Sequence, residues 1–278
     1  MDGLKFLYKS AAGRLFLKAL CAPVLSRACG RFLDSPLSHF LIKPFVKKNK
    51  IDLSEYQTDG IKTFNQFFRR KIKDGARPFD ARPETLCAPS DGLLSAWNIS
   101  EDGGTVIPAK QSRYTIERLL QDKNLASQYY GGLCLVFRLC VDNYHRYAYA
   151  DGGKKSANVF IPGRLHTVRP IALETLPVFV ENAREWTTIE SAAFGKLVQM
   201  EVGAMLVGRI VNFEQEAVVA RGDEKGYFEY GGSTIILLVQ KGKASVRSDI
   251  AQNSAAGIET PVKMGECVAV GKKIKGMI

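Results

Sequence analysis

The chain has 278 residues, which is long enough to bury a large core as one domain or two small ones. Hydrophobic residues make up 46% and charged residues 24%, a composition that excludes a disordered chain. The formal net charge of +11 attracts nucleic acid, an anionic membrane surface or an acidic substrate. The sequence has no zinc-finger spacing, RNA-binding signature or single basic arm, so we expect no nucleic-acid partner.

The first elements are predicted in residues 4–33, which are rich in Leu, Phe and Ala. Six basic residues interrupt them: Lys5, Lys9, Arg14, Lys18, Arg27 and Arg31. This charge density excludes a membrane-spanning helix, which needs about twenty mostly apolar residues. The pattern predicts helical segments broken at Gly13 and Pro23, with one apolar face. The residues expected on that face are Leu4, Leu7, Leu15, Leu17 and Leu20. Such a face either lies on an anionic membrane or packs on the protein's own core.

Further amphipathic helices are predicted over residues 35–50 and 62–73. In the second, Phe64, Phe67 and Phe68 share one face, which indicates core packing. A short helix is expected over residues 112–128, beginning at Ser112.

From about residue 86 the pattern changes to short strands separated by Gly, Pro and Asp. The predicted strands are CLVFRLCV, NVFIP, LPVFV, KLVQMEVGAMLVGRIV, TIILLVQ and KASV. The tail PVKMGECVAVGKK resembles the hairpins of lipoyl-like, barrel-sandwich domains. We therefore predict an α+β fold, mainly β, with a helical membrane-associating region at 1–80 and a β-rich catalytic domain at 81–278.

Six cysteines are scattered through the chain without a C-x-x-C pair: Cys21, Cys29, Cys87, Cys134, Cys140 and Cys267. Structural zinc is usually held by closely spaced thiol pairs, so this spacing predicts no metal site. With no signal peptide expected, reduced and buried thiols are favoured over a disulfide framework. We expect the cytoplasmic side of the cell.

The tetrapeptide Gly231-Gly232-Ser233-Thr234 stands between two apolar runs, which predicts a strand, a tight turn and a second strand. One interpretation is an ordinary Gly-Gly hairpin. The other is a strained peptide bond whose Gly232 carbonyl is open to attack by the Ser233 hydroxyl. The tetrapeptide alone leaves both open.

A serine hydroxyl needs an adjacent base to attack a carbonyl at neutral pH, and the chain has three histidines. His39 falls in the helical region and is expected to be a surface or packing residue. His145 follows an apolar strand, and Asp91 precedes another. Each of these two can also be explained as a turn residue. His166 lies on a predicted strand and has either a packing or a catalytic role.

Six segments of the chain, in this order, resemble the phosphatidylserine decarboxylases over roughly residues 60–270. They are FNQFFRRKIKDGARPFD (64–80), APSDG (88–92), DNYHRY (142–147), PGRLHTVRPIAL (162–173), QMEVGAMLVGRI (199–210) and RGDEKGYFEYGGSTIILL (221–238). The resemblance implies a pyruvoyl-dependent enzyme that decarboxylates phosphatidylserine to phosphatidylethanolamine at a membrane surface.

The resemblance also implies a catalytic triad, in which Asp91 orients His145 and His145 activates Ser233. Ser233 then attacks the Gly232 carbonyl, and the acyl group moves from the Ser233 nitrogen to its hydroxyl oxygen to give an ester. Elimination from this ester leaves dehydroalanine at position 233, which hydrolyses to a pyruvoyl group with loss of ammonia. This cut divides the precursor into a β chain (1–232) and an α chain (233–278). We expect the two chains to stay together, because the strands that flank the cut pair within one body. No metal or diffusible cofactor is needed.

The chain departs from many relatives at Ala148, where they carry a second histidine three residues after the first. Either His145 serves both cleavage and decarboxylation, or His166 reaches the site from a neighbouring strand. Arg146, Arg164, Arg169 and Lys110 are candidates for binding phosphate or carboxylate.

Phosphatidylserine and an anionic membrane surface are the expected partners, at the cytoplasmic face of the cell membrane, and a homodimer is also considered. The alternatives are a non-catalytic membrane-surface binding protein on the same scaffold and a soluble pyruvoyl-dependent amino-acid decarboxylase. A serine hydrolase is disfavoured, because no G-x-S-x-G motif is present.

Overall fold

A computed structural model describes residues 3–21, 23–105, 114–173, 176–204, 209–229 and 233–271. Short helices dominate the N-terminal part, and antiparallel sheets form most of the rest. The predicted α+β, mainly β fold class is confirmed. The domain boundary between residues 80 and 81 stays a prediction.

The helices lie mostly before residue 70, with shorter ones between strands. They are α1 (Gly3–Lys9), α2 (Ala11–Leu20), α3 (Pro23–Leu33), a 3₁₀ helix (Pro36–Leu41), α4 (Ile42–Asn49), α5 (Phe64–Phe68), α6 (Ile116–Leu120), α7 (Lys123–Ser127), α8 (Pro170–Leu173), α9 (Val178–Glu181) and α10 (Ser248–Ala255).

The strands begin at residue 56 and continue to the C-terminal end of the described chain. They are β1 (Tyr56–Gln57), β2 (Lys71–Ile72), β3 (Thr85–Cys87), β4 (Gly92–Asn98), β5 (Gly104–Thr105), β6 (Tyr114–Thr115), β7 (Leu133–Leu139), β8 (Arg146–Ala148), β9 (Gly153–Lys155), β10 (Val159–Ile161), β11 (Arg184–Ser191), β12 (Gly195–Val202), β13 (Ile210–Asn212), β14 (Ala217–Val219), β15 (Glu224–Phe228), β16 (Ser233–Val239), β17 (Ala244–Val246), β18 (Thr260–Val262) and β19 (Cys267–Gly271).

The main sheet has the strand order β14-β9-β11-β12-β16-β7-β4-β18, and β10 pairs with β11. β16 lies near its centre, between β12 and β7. Every residue of β16 is buried, because both faces of the strand are covered. A strand buried on both faces has no polar alternation, which explains the continuous apolar run from Ile235 to Val239.

β15 and β16 flank residues 230–232 but belong to different sheets. β15 pairs with β13 and β8 in a three-stranded sheet, whereas β16 pairs with β12 and β7 in the main sheet. The hairpin interpretation is therefore wrong. Each strand has better partners far away in the chain, which the local pattern cannot reveal. Gly232 itself lies outside the described residues.

The N-terminal helices differ from prediction in where they break. The first break is at Ser10, and Gly13 lies inside α2, where an added Cβ would come 2.0 Å from the Phe6 carbonyl oxygen. Gly13 therefore permits the close approach of α1 and α2. The second break, before Pro23, is as predicted. Leu17 is buried and Leu15 is exposed, so these two leucines do not share a face, since two helical positions differ by about 200°.

The helices thus pack on the core and also expose apolar side chains. Tyr8, Leu17 and Cys21 belong to the main hydrophobic core. The large exposed apolar residues of this region are Phe6, Leu15, Phe16, Val24, Phe32, Leu37 and Phe40. Within the described ranges, no helix combines the length and the hydropathy that crossing a bilayer requires.

Four other segments differ from their predictions. The helix predicted over 62–73 is only α5, whose three phenylalanines are buried as expected; the chain then forms β2, which pairs with β1. The predicted strand LPVFV contains α9 instead, a single helical turn that begins directly after Pro177. The helix predicted over 112–128 is β6 followed by α6 and α7, which Thr115 and Asp122 cap; Ser112 lies outside the described residues. In the tail, β18 and β19 form no hairpin with each other. β18 pairs with β4, and β19 pairs with β17 and β3.

Candidate active site

The predicted residues lie at the ends of neighbouring strands, along one side of the main sheet where these strands begin or end. Ser233 opens β16 and pairs with Leu139, the last residue of β7. Asp91 immediately precedes β4, whose Leu93 pairs with Arg138 of β7. Because adjacent strands lie about 4.8 Å apart, Asp91 and Ser233 stand roughly 10 Å apart on either side of the β7 end.

Ser233 is completely buried, and its Oγ has no hydrogen-bond partner within the described part of the chain. Most buried hydroxyl groups in folded proteins are hydrogen-bonded, because leaving one unpaired costs roughly 1–3 kcal/mol. The hydroxyls of Thr85, Ser90, Tyr149 and Thr234 share this state within the described residues. Ser233 is the one of these five that opens β16, at the bond predicted to be cleaved.

His145 lies between β7 and β8 and is also completely buried. Its carbonyl accepts a hydrogen bond from the Phe228 N–H at 2.9 Å, and its ring centroid is 4.0 Å from that of Phe68. Nδ1 is 2.9 Å from the Asn143 carbonyl oxygen, so Nδ1–H donates there. In the neutral ring Nε2 then carries the lone pair that a general base needs.

The segments that carry the three predicted residues are joined by backbone pairing. Ala148 of β8 donates its N–H to the Pro89 carbonyl at 2.9 Å, two residues before Asp91. On its other side β8 pairs with β15, and β15 is followed, after Glu229 and residues 230–232, by Ser233. The fold therefore brings the three chain segments together.

Asp91, however, bonds to groups other than His145. Its carboxylate accepts two hydrogen bonds of 2.8 Å from Arg77 and one of 2.9 Å from the Met264 N–H. Burial alone lowers the pKa of Arg77, but its hydrogen bonds to Asp91 and Glu55 raise it above its ordinary value. Among the hydrogen bonds of the described residues, none joins Asp91 to His145. The Asn143 carbonyl orients the ring in this structure, and the triad role of Asp91 stays a prediction.

His166 lies at the same edge of the sheet, beyond β12. The Asn182 side chain donates to both the His166 and Gly203 carbonyls, and Gly203 follows Val202, the partner of Thr234. The Cys21 thiol is 3.3 Å from His166 Nδ1. Burial lowers the pKa of His166, although Glu181, 3.5 Å from Nε2, opposes this. No contact in the described residues joins His166 to Ser233, and its catalytic role stays a prediction.

The candidate phosphate-binding residues are spread over the structure. Arg146 on β8 donates to the Arg69 carbonyl and pairs with Glu224. Arg164 and Arg169 are exposed near His166, and Lys110 lies outside the described residues.

Two buried polar groups near the site were not predicted. Arg77 holds Asp91, and it falls in the quoted segment 64–80, where the sequence assigned it no role. Glu201 and Lys225 form an ion pair of 2.6 Å with both side chains fully buried. Burial raises the pKa of Glu201, and the Lys225 charge opposes it. Glu201 is paired with Ile235, which lies two residues after Ser233 on β16. The side chains of Glu201 and Ile235 therefore lie on the same face of the main sheet as Ser233. Nothing in the local sequence pairs residues 201 and 225.

The cysteines are free, and Cys21, Cys87 and Cys134 are buried. Burial raises the pKa of the Cys134 thiol to about 12, so it stays protonated at neutral pH. Within the described ranges, no group of three or more His, Cys, Asp or Glu side chains is arranged to hold a metal ion. The absence of a metal site stays a prediction.

Known proteins are similar to this chain over most of its length. The family model for phosphatidylserine decarboxylase matches residues 64–270. Phosphatidylserine decarboxylase proenzyme 2 of Clostridium acetobutylicum is 43% identical, covering 95% of this chain and 90% of the relative. The phosphatidylserine decarboxylase proenzymes of Clostridium perfringens (39% identical; 96% and 93% covered) and Ruminiclostridium cellulolyticum (38%; 95% and 90%) are also similar.

The family model and these relatives identify the chain as a carboxy-lyase. The chain belongs to the phosphatidylserine decarboxylase family.

Proposed function

We propose that this protein decarboxylates phosphatidylserine to phosphatidylethanolamine through a pyruvoyl group that it makes from its own Ser233. The observation that carries the proposal is the buried Ser233 Oγ without a hydrogen-bond partner among the described residues. It opens the central strand of the main sheet, where the His145 segment meets the strand leading to the cleavage site. The name proenzyme, carried by the relatives, supports a precursor that is cut.

In the proposed self-cleavage, the Ser233 hydroxyl attacks the Gly232 carbonyl while His145 Nε2 accepts its proton. The Asn143 carbonyl keeps the proton of the neutral ring on Nδ1, which leaves Nε2 basic. Elimination from the resulting ester then frees the chain ending at Gly232 and leaves dehydroalanine at position 233, which water hydrolyses to the pyruvoyl group with loss of ammonia. Asp91, held by Arg77 and Met264, positions the segment that packs against β8.

The Ser233 side chain is enclosed, and its Oγ has no hydrogen-bond partner in the described residues. This environment suits a covalent group that is formed from Ser233 itself. A pyruvoyl group there would supply a carbonyl that accepts the electrons released as carbon dioxide leaves. The protein must also return a proton to the carbon that loses the carboxylate. His145 and His166 are the two histidines at this edge of the sheet, and we assign the step to one of them.

The two product chains should remain one body after cleavage. β16, in the α chain (233–278), is held between β12 and β7 of the β chain (1–232). β18 and β19 also pair with β4 and β3 of the β chain. Separating the chains would therefore break the main sheet through its centre.

We also propose that the protein is peripheral to the cytoplasmic face of the cell membrane. The exposed apolar residues of the N-terminal helices and the net charge of +11 suit an anionic lipid surface. A soluble amino-acid decarboxylase would not need this exposed apolar surface, which argues against that alternative. A non-catalytic membrane-binding protein would not need the buried Ser233, which argues against the other. A homodimer stays a prediction.

Mass measurement under denaturing conditions tests the function. The active protein should give two species divided after Gly232, the shorter one blocked at its first residue by the pyruvoyl group. Ser233→Ala should give one uncut, inactive chain of about 30.7 kDa, because the nucleophile is gone. Ser245→Ala, an exposed serine on β17, is the matched control and should be cut normally. An active wild-type preparation consisting of uncut chain would refute the proposal.

A further inference from the structure

A basic cavity opens on the surface beside the predicted base, and no role has been assigned to it. Its volume is about 280 Å³. Four cationic side chains line it: Arg69, Arg70, Lys71 and Arg146. The other lining residues are Gln57, Asp59, Gly60, Ile61 and Gln66. We call this cavity the Arg69 pocket.

Positive charge in the Arg69 pocket is poorly compensated. Asp59 is the one carboxylate among the described residues that line it. Arg146 pairs with Glu224, but Arg69, Arg70 and Lys71 take part in no ion pair within the described ranges. Arg69 instead donates to the Tyr227 hydroxyl at 3.1 Å. A concave surface with this excess of cations raises the local concentration of anions.

Arg70 forms the buried part of the wall. It lies 4.1 Å from the Tyr56 ring centroid and 4.7 Å from that of Phe67, and it donates to the Phe67 carbonyl. Its Nε and Nη2 have no hydrogen-bond partner in the described part of the chain. Burial lowers the pKa of Arg70, since aromatic neighbours compensate the lost hydration only in part. An anion in the pocket would offset that cost.

Glu229 is a further carboxylate that feels the charge of Arg69. Burial raises the pKa of Glu229, and the Arg209 and Arg69 charges only partly oppose this effect. Glu229 does not line the Arg69 pocket, and no ion pair joins it to Arg69 within the described ranges.

The Arg69 pocket is joined to the candidate active site by sequence and by contact. Arg146 follows His145, and Arg69 follows Phe68, whose ring packs on the His145 ring. The Arg146 Nε donates to the Arg69 carbonyl at 2.8 Å, which ties the two walls together. Tyr227, which holds the Arg69 guanidinium, lies on β15, the strand that leads towards Ser233. A group bound in the pocket would therefore lie next to the segment of the predicted base.

The size and chemistry of the pocket select its ligand. Small-molecule sites usually begin at about 300 Å³, so this cavity fits a headgroup or an inorganic anion and not an acyl chain. Guanidinium forks bind phosphate oxygens in pairs, and an ammonium group adds a point charge. We propose that the Arg69 pocket binds a phosphate group, either as the phosphodiester of a serine phospholipid headgroup or as free phosphate.

The headgroup form of this inference rests on the proposed function. In phosphatidylserine the phosphate is joined to the serine amine by a short link, so a phosphate held beside Arg146 would place the serine near the His145 segment. The free-phosphate form does not depend on decarboxylation. Both forms use the same side chains.

Calorimetric titration of the uncut, full-length Ser233→Ala chain tests the proposal without any catalytic readout. The probes are inorganic phosphate, glycerophosphoserine and, as the ligand without phosphate, L-serine. The parent should bind at least one phosphate compound more tightly than L-serine. Adding Arg69→Gln should weaken that binding about tenfold, because one charge-assisted contact contributes roughly 1.5–3 kcal/mol. Arg69→Lys, which keeps the charge and loses the fork, should have an intermediate effect.

Lys71→Gln guards against a folding artefact, because Lys71 is exposed and its substitution leaves the core untouched. It should weaken phosphate binding several-fold, and that weakening should diminish in high salt. Lys123→Gln is the matched control, an exposed lysine on α7 that should bind like the parent.

Preference for glycerophosphoserine identifies the headgroup form, and equal affinity for inorganic phosphate identifies the free-phosphate form. The proposal is overturned if the parent binds no phosphate compound, or if both Arg69→Gln and Lys71→Gln bind like the parent. The two proposals can fail separately. If the wild-type chain is cut normally but the pocket variants bind phosphate like the parent, only the pocket proposal fails. If the active wild-type chain is not cut but the pocket variants bind phosphate more weakly, only the proposed function fails.

Discussion

The N-terminal helices and the main sheet use the same apolar residue types in opposite ways. Leu37 in the 3₁₀ helix is 75% exposed, whereas Leu237 in β16 is 0% exposed. The sheet encloses its apolar side chains on both faces and so holds Ser233 in a fixed frame. The helices bury one set, including Tyr8 and Leu17, and leave another in solvent. The enclosed interior thus contains the proposed catalytic site, and the partly exposed helices suit the proposed contact with a lipid surface.

The two regions meet at His166. The Cys21 thiol reaches its ring from the end of α2, and the Tyr8 hydroxyl accepts a hydrogen bond from the Thr167 N–H at 3.2 Å. The helices are therefore docked on the edge of the sheet that carries the site. The experiments below separate the contribution of the sheet from that of the helices.

The largest effect is expected within the sheet region, for His145→Ala. Removing a general base typically costs 10²–10⁴-fold, so cleavage after Gly232 should slow by about that factor. A time course of chain cleavage on denaturing gels measures it. His39→Ala, on the exposed 3₁₀ helix, is the control and should be cut at the normal rate. Normal cleavage of His145→Ala would move the base to another residue.

A pair of identical substitutions compares the two regions in stability. Leu237→Ala should lower the free energy of unfolding by about 2–5 kcal/mol, because it leaves a cavity in a strand buried on both faces. Leu37→Ala should change it by no more than about 0.5 kcal/mol. Urea denaturation of both variants in the Ser233→Ala background measures the difference. Equal losses would show that Leu37 packs against something in solution.

The helices should dominate vesicle binding. Phe16 and Phe40 are 62% and 66% exposed, and burying one such side chain in lipid stabilises binding by roughly 1.5–3 kcal/mol. Phe16→Ser combined with Phe40→Ser should therefore weaken flotation with phosphatidylglycerol vesicles by at least about tenfold. Phe160→Ser on β10, which is 58% exposed, is the matched control from the strand region. If the control weakens binding as much as the pair, the helices are not the membrane contact.

The smallest effect is expected at the junction, as a pH dependence of stability. The pKa of His166 is lower in the folded chain than in the unfolded chain, so the unfolded state takes up a proton first. The contribution of His166 to the free energy of unfolding is therefore fully present above its unfolded-state pKa of about 6.5. It is lost as the pH falls below that value, by at most about 1.4 kcal/mol per pH unit. His166→Gln should have a shallower decline between pH 6.5 and 5 in thermal unfolding. An unchanged slope would show that His166 does not titrate in this range.

Local sequence patterns were enough for the elements that depend on near neighbours. The strand TIILLVQ, the buried face of Phe64, Phe67 and Phe68 and the start of α3 at Pro23 all follow from residues within one or two turns. Two predictions failed for different reasons. LPVFV forms a helical turn directly after Pro177, although its apolar run has a strand pattern. The strands around residues 230–232 pair in different sheets, because distant partners decide their pairing.

The candidate site divides in the same way. Residue types and motif order identify Asp91, His145 and Ser233 as candidates, and the fold brings their segments together. The partners of those residues were not predictable. Arg77 reaches Asp91 from another segment, and the Asn143 carbonyl accepts a hydrogen bond from the His145 ring.

The sequence by itself determined the fold class and the family and supplied the candidate site residues, because composition, periodicity and motif order are properties of the chain alone. Only the tertiary structure decided that Ser233 begins a central strand, that Arg77 pairs with Asp91 and that Arg69 and Arg146 line one pocket. These facts depend on which distant segments exclude water together. That choice is made by packing and hydrogen bonding across the whole fold, and no local stretch of residues contains it.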